Sequence, residues 1–381
     1  MQITVHDSIA DIQPGEWNAL AGNAFPFLRH EFLLAAEETG CVAAASGWQA
    51  CHLVLRDGET ARAAMPLYEK QHSWGEFVFD WAWANAYERA GLSYYPKLVS
   101  AVPFTPASST RLLLADRDDQ EARELLLEGA LTLAEKRNCS SLHILFPEAD
   151  EAGKLQEIGL KLRRDCQFHW HNHEYADFEA FLAEFSSRKR KKARRDRRHV
   201  VQAGIEFRRF TGEQLTAELW DSVYPLISLT FMQRGSMPYF SLEFFRRISA
   251  SMGEQLLVIR AERDAEPIAA AVFFIGEDAL YGRYWGSNGH FNSLHFETCY
   301  YQGIDYCIEH GIKRFEPGTQ GEHKISRGFL PSTTYSAHWL AQPEFFAAIG
   351  NYVEEEGEHV DRYIEAVENH SPFRQSDDEQ E

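Results

Sequence analysis

The sequence predicts an α/β protein with mixed sheets, built as two tandem units related by internal duplication. Three observations carry this. The 381 residues exceed the ~100 to 200 of a usual domain. A run of short apolar strands followed by a helix and one more strand occurs twice. The strings Leu53-Val-Leu-Arg56 and Leu257-Val-Ile-Arg260 open the two runs alike.

In the first half, Asp57-Gly58-Glu59 separates the apolar runs 51–56 and 61–68, the pattern of a β-hairpin. Glu121 to Arg137 then carries Leu125, Leu126, Leu131 and Leu133 at helical spacing and leads into the strand Ser141 to Phe146. The second half repeats this with strands over 256–261, 268–275 and 279–285, a helix from Phe296 to His310 closed by Gly311, and a strand over 312–316. Between hairpin and helix, the first half inserts an aromatic-rich stretch, Trp74 to Trp83 and Tyr87 to Pro96. Aromatics at that density read first as core, and second as the wall of a cleft. Residues 1–168 and 169–350 are the expected domains, followed by an acidic tail, 351–381. From Glu354 onward that tail has eleven acids and two arginines, a composition that predicts weak helix and then disorder.

Apolar residues at 44% and charged residues at 25% exclude a disordered or collagen-like chain. The net charge of −19 argues against general affinity for nucleic acid or anionic membrane. No signal peptide and no apolar run long enough to cross a bilayer occurs, so a cytoplasmic protein is expected. The six cysteines form no C-x-x-C pair, which favours reduced core thiols over a zinc or disulfide framework.

One segment reverses the charge. Arg188 to Arg198 holds nine cations and one acid, and the sequence predicts a helix over 186–203, capped by Ser186 or Ser187 and ended by Gly204. Like charges at i, i+3 and i+4 cost a few tenths of a kcal/mol each, so solvent, the protein's own acids or an external polyanion must offset them. Arg188, Lys189, Arg190, Lys191, Arg194 and Arg195 are the candidates for donor phosphates.

The second constellation is Phe315-Glu-Pro-Gly-Thr-Gln-Gly-Glu-His-Lys-Ile-Ser-Arg-Gly-Phe329, a glycine-punctuated loop after an apolar strand, where open α/β sheets place ligands. Glu322 or His323, with Glu316, are the candidate proton acceptors for an attacking amine, and Lys324 and Arg327 the candidate anion holders. Gln320, Asp80, Trp81, Arg283 and Trp285 complete the candidate substrate contacts. His169-Trp-His-Asn-His173 has alternate imidazoles, but same-face strand residues stand ~7 Å apart against ligand bonds of ~2 Å, so no metal site is assigned. The hydrolase elbow, P-loop and dinucleotide fingerprints are all absent.

The strings Gly75-Glu-Phe-Val-Phe-Asp-Trp-Ala-Trp83, Tyr94-Tyr-Pro-Lys97, Pro103-Phe-Thr-Pro106, Gln167-Phe-His-Trp170, Ser186-Ser-Arg-Lys-Arg-Lys191, His295-Phe-Glu-Thr298 and the 315–324 loop resemble the FemAB-like proteins. These are labelled peptidoglycan biosynthesis/recognition proteins within the acyl-CoA N-acyltransferase (GNAT) superfamily. The resemblance implies two tandem GNAT-like domains and direct transfer of an acyl or aminoacyl group to an amine of a cell-wall precursor or other peptide. No permanently bound cofactor is implied, and the donor is aminoacyl-tRNA or acyl-CoA. In such relatives a basic helix helps with the RNA, and 188–198 is the matching segment. The acetyl-CoA loop pattern [QR]-x-x-G-x-[GA] is missing from Gly286 to Ser293, which moves weight toward another donor. A non-catalytic RNA-binding protein on the same scaffold is the alternative.

Overall fold

A computed structural model describes residues 1–319 and 321–374. Its strands are β1 (Gln2–His6), β2 (Trp48–Ala50), β3 (His52–Asp57), β4 (Thr60–Met65), β5 (Tyr68–Lys70), β6 (Lys97–Ser100), β7 (Leu113–Leu114), β8 (Ser141–Leu145), β9 (Lys161–His171), β10 (Ile205–Phe210), β11 (Leu256–Arg263), β12 (Glu266–Ile275), β13 (Ala279–Ser287), β14 (Arg314–Glu316) and β15 (Leu330–Leu340). The chain forms two compact units. Among the described residues, one comprises 1–166, 239–244 and 333–362, the other 167–238, 245–332 and 363–374.

In the first unit β1, β3, β4 and β7 form one sheet, and β2, β5, β6, β8 and the C-terminal half of β15 run side by side in another. The pair β6 and β8 is parallel, joined by a crossover that contains the helix Gln120–Lys136. Asp119 caps that helix through the Ala122 N–H, and Leu126, Leu127, Ala130 and Leu133 bury its inner face against Leu53, Leu55, Leu142 and Ile144. Of the aromatic insert, Trp83 and Tyr87 are core, whereas Trp74, Phe79 and Trp81 are exposed.

The second unit repeats the plan. β10 to β13 form an antiparallel meander, β13 and β14 are parallel, and β14 pairs with the end of β9. The crossover between β13 and β14 is a helical stretch, 294–310, with a π turn over Glu297–Tyr301 and Gly311 in the left-handed region behind it. The matched strings of the sequence open equivalent hairpins, β3–β4 and β11–β12.

The stretch expected as a weakly helical tail is a long helix. A helix runs over Pro343–Glu368, and residues 333–362 pack in the first unit, not in a domain ending at 350. Phe345, Ile349 and Val353, four residues apart, form a helical stripe against Trp83 and Tyr87. Residues 375–381, where disorder was expected, lie outside the described residues. Among the described residues, no helix is long and apolar enough to cross a membrane, and the six cysteines form no disulfide.

Candidate functional site

The loop after β14 is shaped by glycines. Gly318, Gly321 and Gly328 all have positive φ, and a Cβ on Gly328 would stand 2.6 Å from the Phe181 ring. Between them Glu322–Arg327 coils into a short 3-10 turn that sends its side chains in different directions. Lys324 turns inward, 1% exposed, and donates to the Gly318 carbonyl at 2.5 Å, clamping the loop. Burial, then the Arg283 charge, pulls its ammonium down to about 7, against the opposing effect of Cys299.

His323 is exposed on one side and lies against His295, Phe296 and Tyr300, with its Nε2 2.9 Å from the Tyr300 hydroxyl. Burial, Arg327 and Lys324 all lower its pKa, so the imidazole is neutral at pH 7. Burial raises the Tyr300 phenol, which therefore keeps its proton at neutral pH. Glu322 is exposed and accepts from Tyr363 at 3.0 Å. Glu316, by contrast, is 1% exposed, 3.0 Å from Arg314 Nε and 4.0 Å from Arg283 Nη2. It is the acid of a buried ion cluster. Gln320 lies outside the described residues.

Beside this loop is a pocket of about 630 Å³, lined by Trp285, the 287–293 turn, His295, Phe296 and the end of the helix Ala217–Met232. Gly286 makes it possible: a Cβ there would lie 1.8 Å from the Leu226 carbonyl, so only glycine lets that helix approach β13. The Thr230 hydroxyl, bonded to the Trp285 carbonyl at 2.6 Å, fixes the approach. Ser293, at φ +65°, turns the chain into the 294–310 helix, whose first N–H groups have no partner within the helix. Trp285 and His295, with ring centroids 5.3 Å apart, connect the pocket wall to the surroundings of His323.

The basic helix spans Ser187–Gln202. Ala193, Asp196 and Val200 are its buried stripe. Arg188, Lys191, Lys192, Arg195 and Arg198 share an exposed face, within about a third of the circumference and along about 15 Å. None of these five has an acidic partner among the described residues. Arg194 is exposed but pairs with Glu179, Lys189 and Arg190 are half-buried, and Arg197 turns inward to Glu297 at 3.0 Å and Asp305 at 2.7 Å. Of the six cations singled out by sequence, the structure therefore keeps Arg188, Lys191 and Arg195 on the free face and adds Lys192 and Arg198.

Asp80 and Trp81 belong to a different environment, in the first unit. Asp80 accepts from Tyr94 at 2.6 Å and from Lys97, which also donates to Glu76 at 2.7 Å and Ser73 at 2.9 Å. Burial works to raise Asp80, but Lys97 and His143 hold it down at about 2; burial outweighs Lys97 at Glu76 and pushes it up to about 7. Trp81 meets Trp74 edge-on at 4.9 Å, at the surface. His169 is buried, His171 and His173 are exposed, and no group of three potential ligands stands ready for a metal ion among the described residues. Sequence reasoning passed over Tyr300 and Asp196. The signal for Asp196 was available: it is the one acid of the basic run and falls on the stripe of Ala193 and Val200.

A family profile described as FemAB-like, peptidoglycan biosynthesis/recognition, matches residues 8–375. Among solved structures the chain is similar to FemX, at 12% identity and a TM-score of 0.56 over 92% of this chain and 100% of that one. It is also similar to L-PGS from Bacillus licheniformis, at 10% identity and a TM-score of 0.51 over 87% and 98%. These likenesses are of fold. No curated protein sequence matches the chain.

Proposed function

Because the chain belongs to the FemAB-like peptidoglycan biosynthesis/recognition family, we propose that it is an acyl or aminoacyl transferase. It forms an amide on a primary amine of a cell-wall precursor or related peptide. The observation that carries this reading is the neutral His323 and its protonated Tyr300 partner beside the pocket of Trp285 and His295. Amide formation by direct transfer needs a carbonyl held next to a group that takes one proton from the attacking nitrogen, and no covalent nucleophile. The C–N bond forms and the donor's C–O or C–S bond breaks. The amine's proton passes to the Tyr300 hydroxyl as that hydroxyl hands its own to His323 Nε2. Lys324, closed onto Gly318, keeps the loop in place.

The exposed face of the basic helix favours aminoacyl-tRNA as the donor. Five cations without acidic partners among the described residues, spread over about 15 Å, match a phosphate backbone better than the single pyrophosphate of acyl-CoA. The same face favours the second reading, an RNA-binding protein without catalysis. Bulk tRNA binding across a salt series tests the donor. Affinity falling as roughly the fourth power of salt is expected if all five cations reach phosphates. No binding at low salt would remove the tRNA donor and turn the search to acyl-CoA. Transfer of a labelled aminoacyl group to an amine peptide, lost in His323→Ala, separates the enzyme from the RNA-binding protein.

A further inference from the structure

The acid inside the basic helix ties together three parts of the second unit. Asp196 Oδ2 accepts from Arg327 Nη2 and from the Tyr301 hydroxyl, each at 3.2 Å, and Oδ1 accepts from Ser293 at 3.2 Å. Ser293 is the last residue of the pocket's turn, and Tyr301 ends the π turn. Arg327 closes the loop that carries His323: its Nη1 donates to the His323 carbonyl at 2.7 Å, and its guanidinium lies 3.3 Å above the Phe296 ring, which lines the pocket. Asp196 is 6% exposed and Arg327 2%, so this is a buried junction. The next residue, Arg197, grips the same helical stretch through Glu297 and Asp305.

We infer that Asp196 is a positioning residue that couples an anion on the outer face of the basic helix to the His323 loop and the Ser293 turn. The outer cations and Asp196 belong to one continuous helix, the cations on its exposed side and Asp196 on its buried stripe. A displacement or stiffening of that helix on binding a polyanion therefore reaches Arg327 and Ser293 through one carboxylate, and through them His323 and the pocket. The inference rests on the proposed polyanionic donor for its trigger, but not for the junction itself.

Hydrogen exchange on the full chain, with bulk tRNA at low salt as the probe, tests it. In wild type, tRNA is expected to slow exchange both in 187–202 and in 321–328. Asp196→Asn keeps the helix's cations and nearly the same shape. It is expected to bind tRNA within about threefold of wild type and to slow exchange in 187–202, while 321–328 no longer responds. Without tRNA, the variant's 321–328 and 290–296 segments should exchange about tenfold faster than wild type. A loop that still responds to tRNA in the variant, or one whose exchange without tRNA equals wild type, overturns the inference. If tRNA leaves wild type unchanged, the donor reading fails, and the comparison without tRNA alone decides whether Asp196 positions the loop. Should Asp196→Asn not fold, Tyr301→Phe removes one of the three bonds and should quicken 321–328 by a smaller factor; no change there counts equally against the inference.

Discussion

Phe373 pairs with Phe185 across an isolated antiparallel bridge, its ring edge-on to that of Phe185 at 5.2 Å. The bridge is framed by Ser186 N–H to the Pro372 carbonyl at 2.9 Å and Arg374 N–H to the Glu184 carbonyl at 3.0 Å. The last described residues of the chain are thus anchored at the start of the basic helix. Seven residues with four acids follow.

Removing residues 375–381 should therefore strengthen tRNA binding, because a segment with four acids follows the residues anchored at the start of the basic helix, whose five outer cations have no acidic partner among the described residues. Anisotropy titrations at 50 mM salt, compared with the full chain, give the answer, and equal affinities would show that the segment does not compete. Truncation from 371 is a different experiment. It uncovers Phe185 and Phe181 and should cost about 1–3 kcal/mol in denaturant unfolding.

Substitutions along the basic helix should divide by face. Arg188→Ala, Lys191→Ala or Arg195→Ala should each weaken tRNA binding and lower the salt slope by about 0.7–0.9, with stability unchanged. Arg197→Ala should leave the slope alone and destabilise the fold by on the order of 2–3 kcal/mol, since it leaves Glu297 buried without its cation. A salt slope that fell for Arg197→Ala alone would reverse the assignment of faces.

Base assignment can be checked by comparing His323→Ala with Glu322→Gln in a transfer assay. Loss of a general base costs about 10² to 10⁴ in rate. That loss is expected at His323, where burial and two cations keep the imidazole neutral, so the acid limb of the pH profile should lie below 6.5. Glu322, exposed and accepting from Tyr363, should tolerate the change within a few-fold. The opposite ranking would move the base to Glu322.

Lys324 should leave a signature in stability against pH. Its folded pKa, about 7, lies below the model-peptide value of 10.5, so above pH 7 the unfolded chain binds the extra proton and stability rises with pH. The contribution is at most about 1.4 kcal/mol per pH unit. Lys324→Met should lower the slope of unfolding free energy between pH 7 and 8.5; an unchanged slope would mean the ammonium stays charged in the fold.

The charge network of the first unit should show two opposite trends. Asp80, held at about 2, contributes stability above pH 4 that is lost as pH falls toward 2, whereas Glu76, raised to about 7, costs stability as pH rises from 4.5 to 7. Asp80→Asn should erase the first trend and Glu76→Gln the second, as read by urea unfolding at pH 3, 5 and 8.

Much of the fold was legible because its signals are local. The Gln120–Lys136 helix, the meander of β11 to β13 and the basic helix each follow from spacing, turns and caps within a few residues. The Pro343–Glu368 helix was read only as weakly helical because the acids after Glu354 dominate its composition. Its stripe of Phe345, Ile349 and Val353 begins earlier and has meaning only against Trp83 and Tyr87, some 260 residues away in the chain.

The candidate site divides in the same way. Residue types and spacing alone marked the 315–329 loop, the basic run and membership of the FemAB-like family, since each is written in a continuous stretch. Tertiary structure alone decided that Glu316 is locked between Arg283 and Arg314, that Lys324 is buried with an ammonium near 7, and that His323 meets Tyr300. It also decided which cations of the basic helix face solvent and that Asp196 faces Arg327. The physical reason is that charge state and reach depend on burial and on neighbours brought together from distant parts of the chain, and local sequence specifies neither.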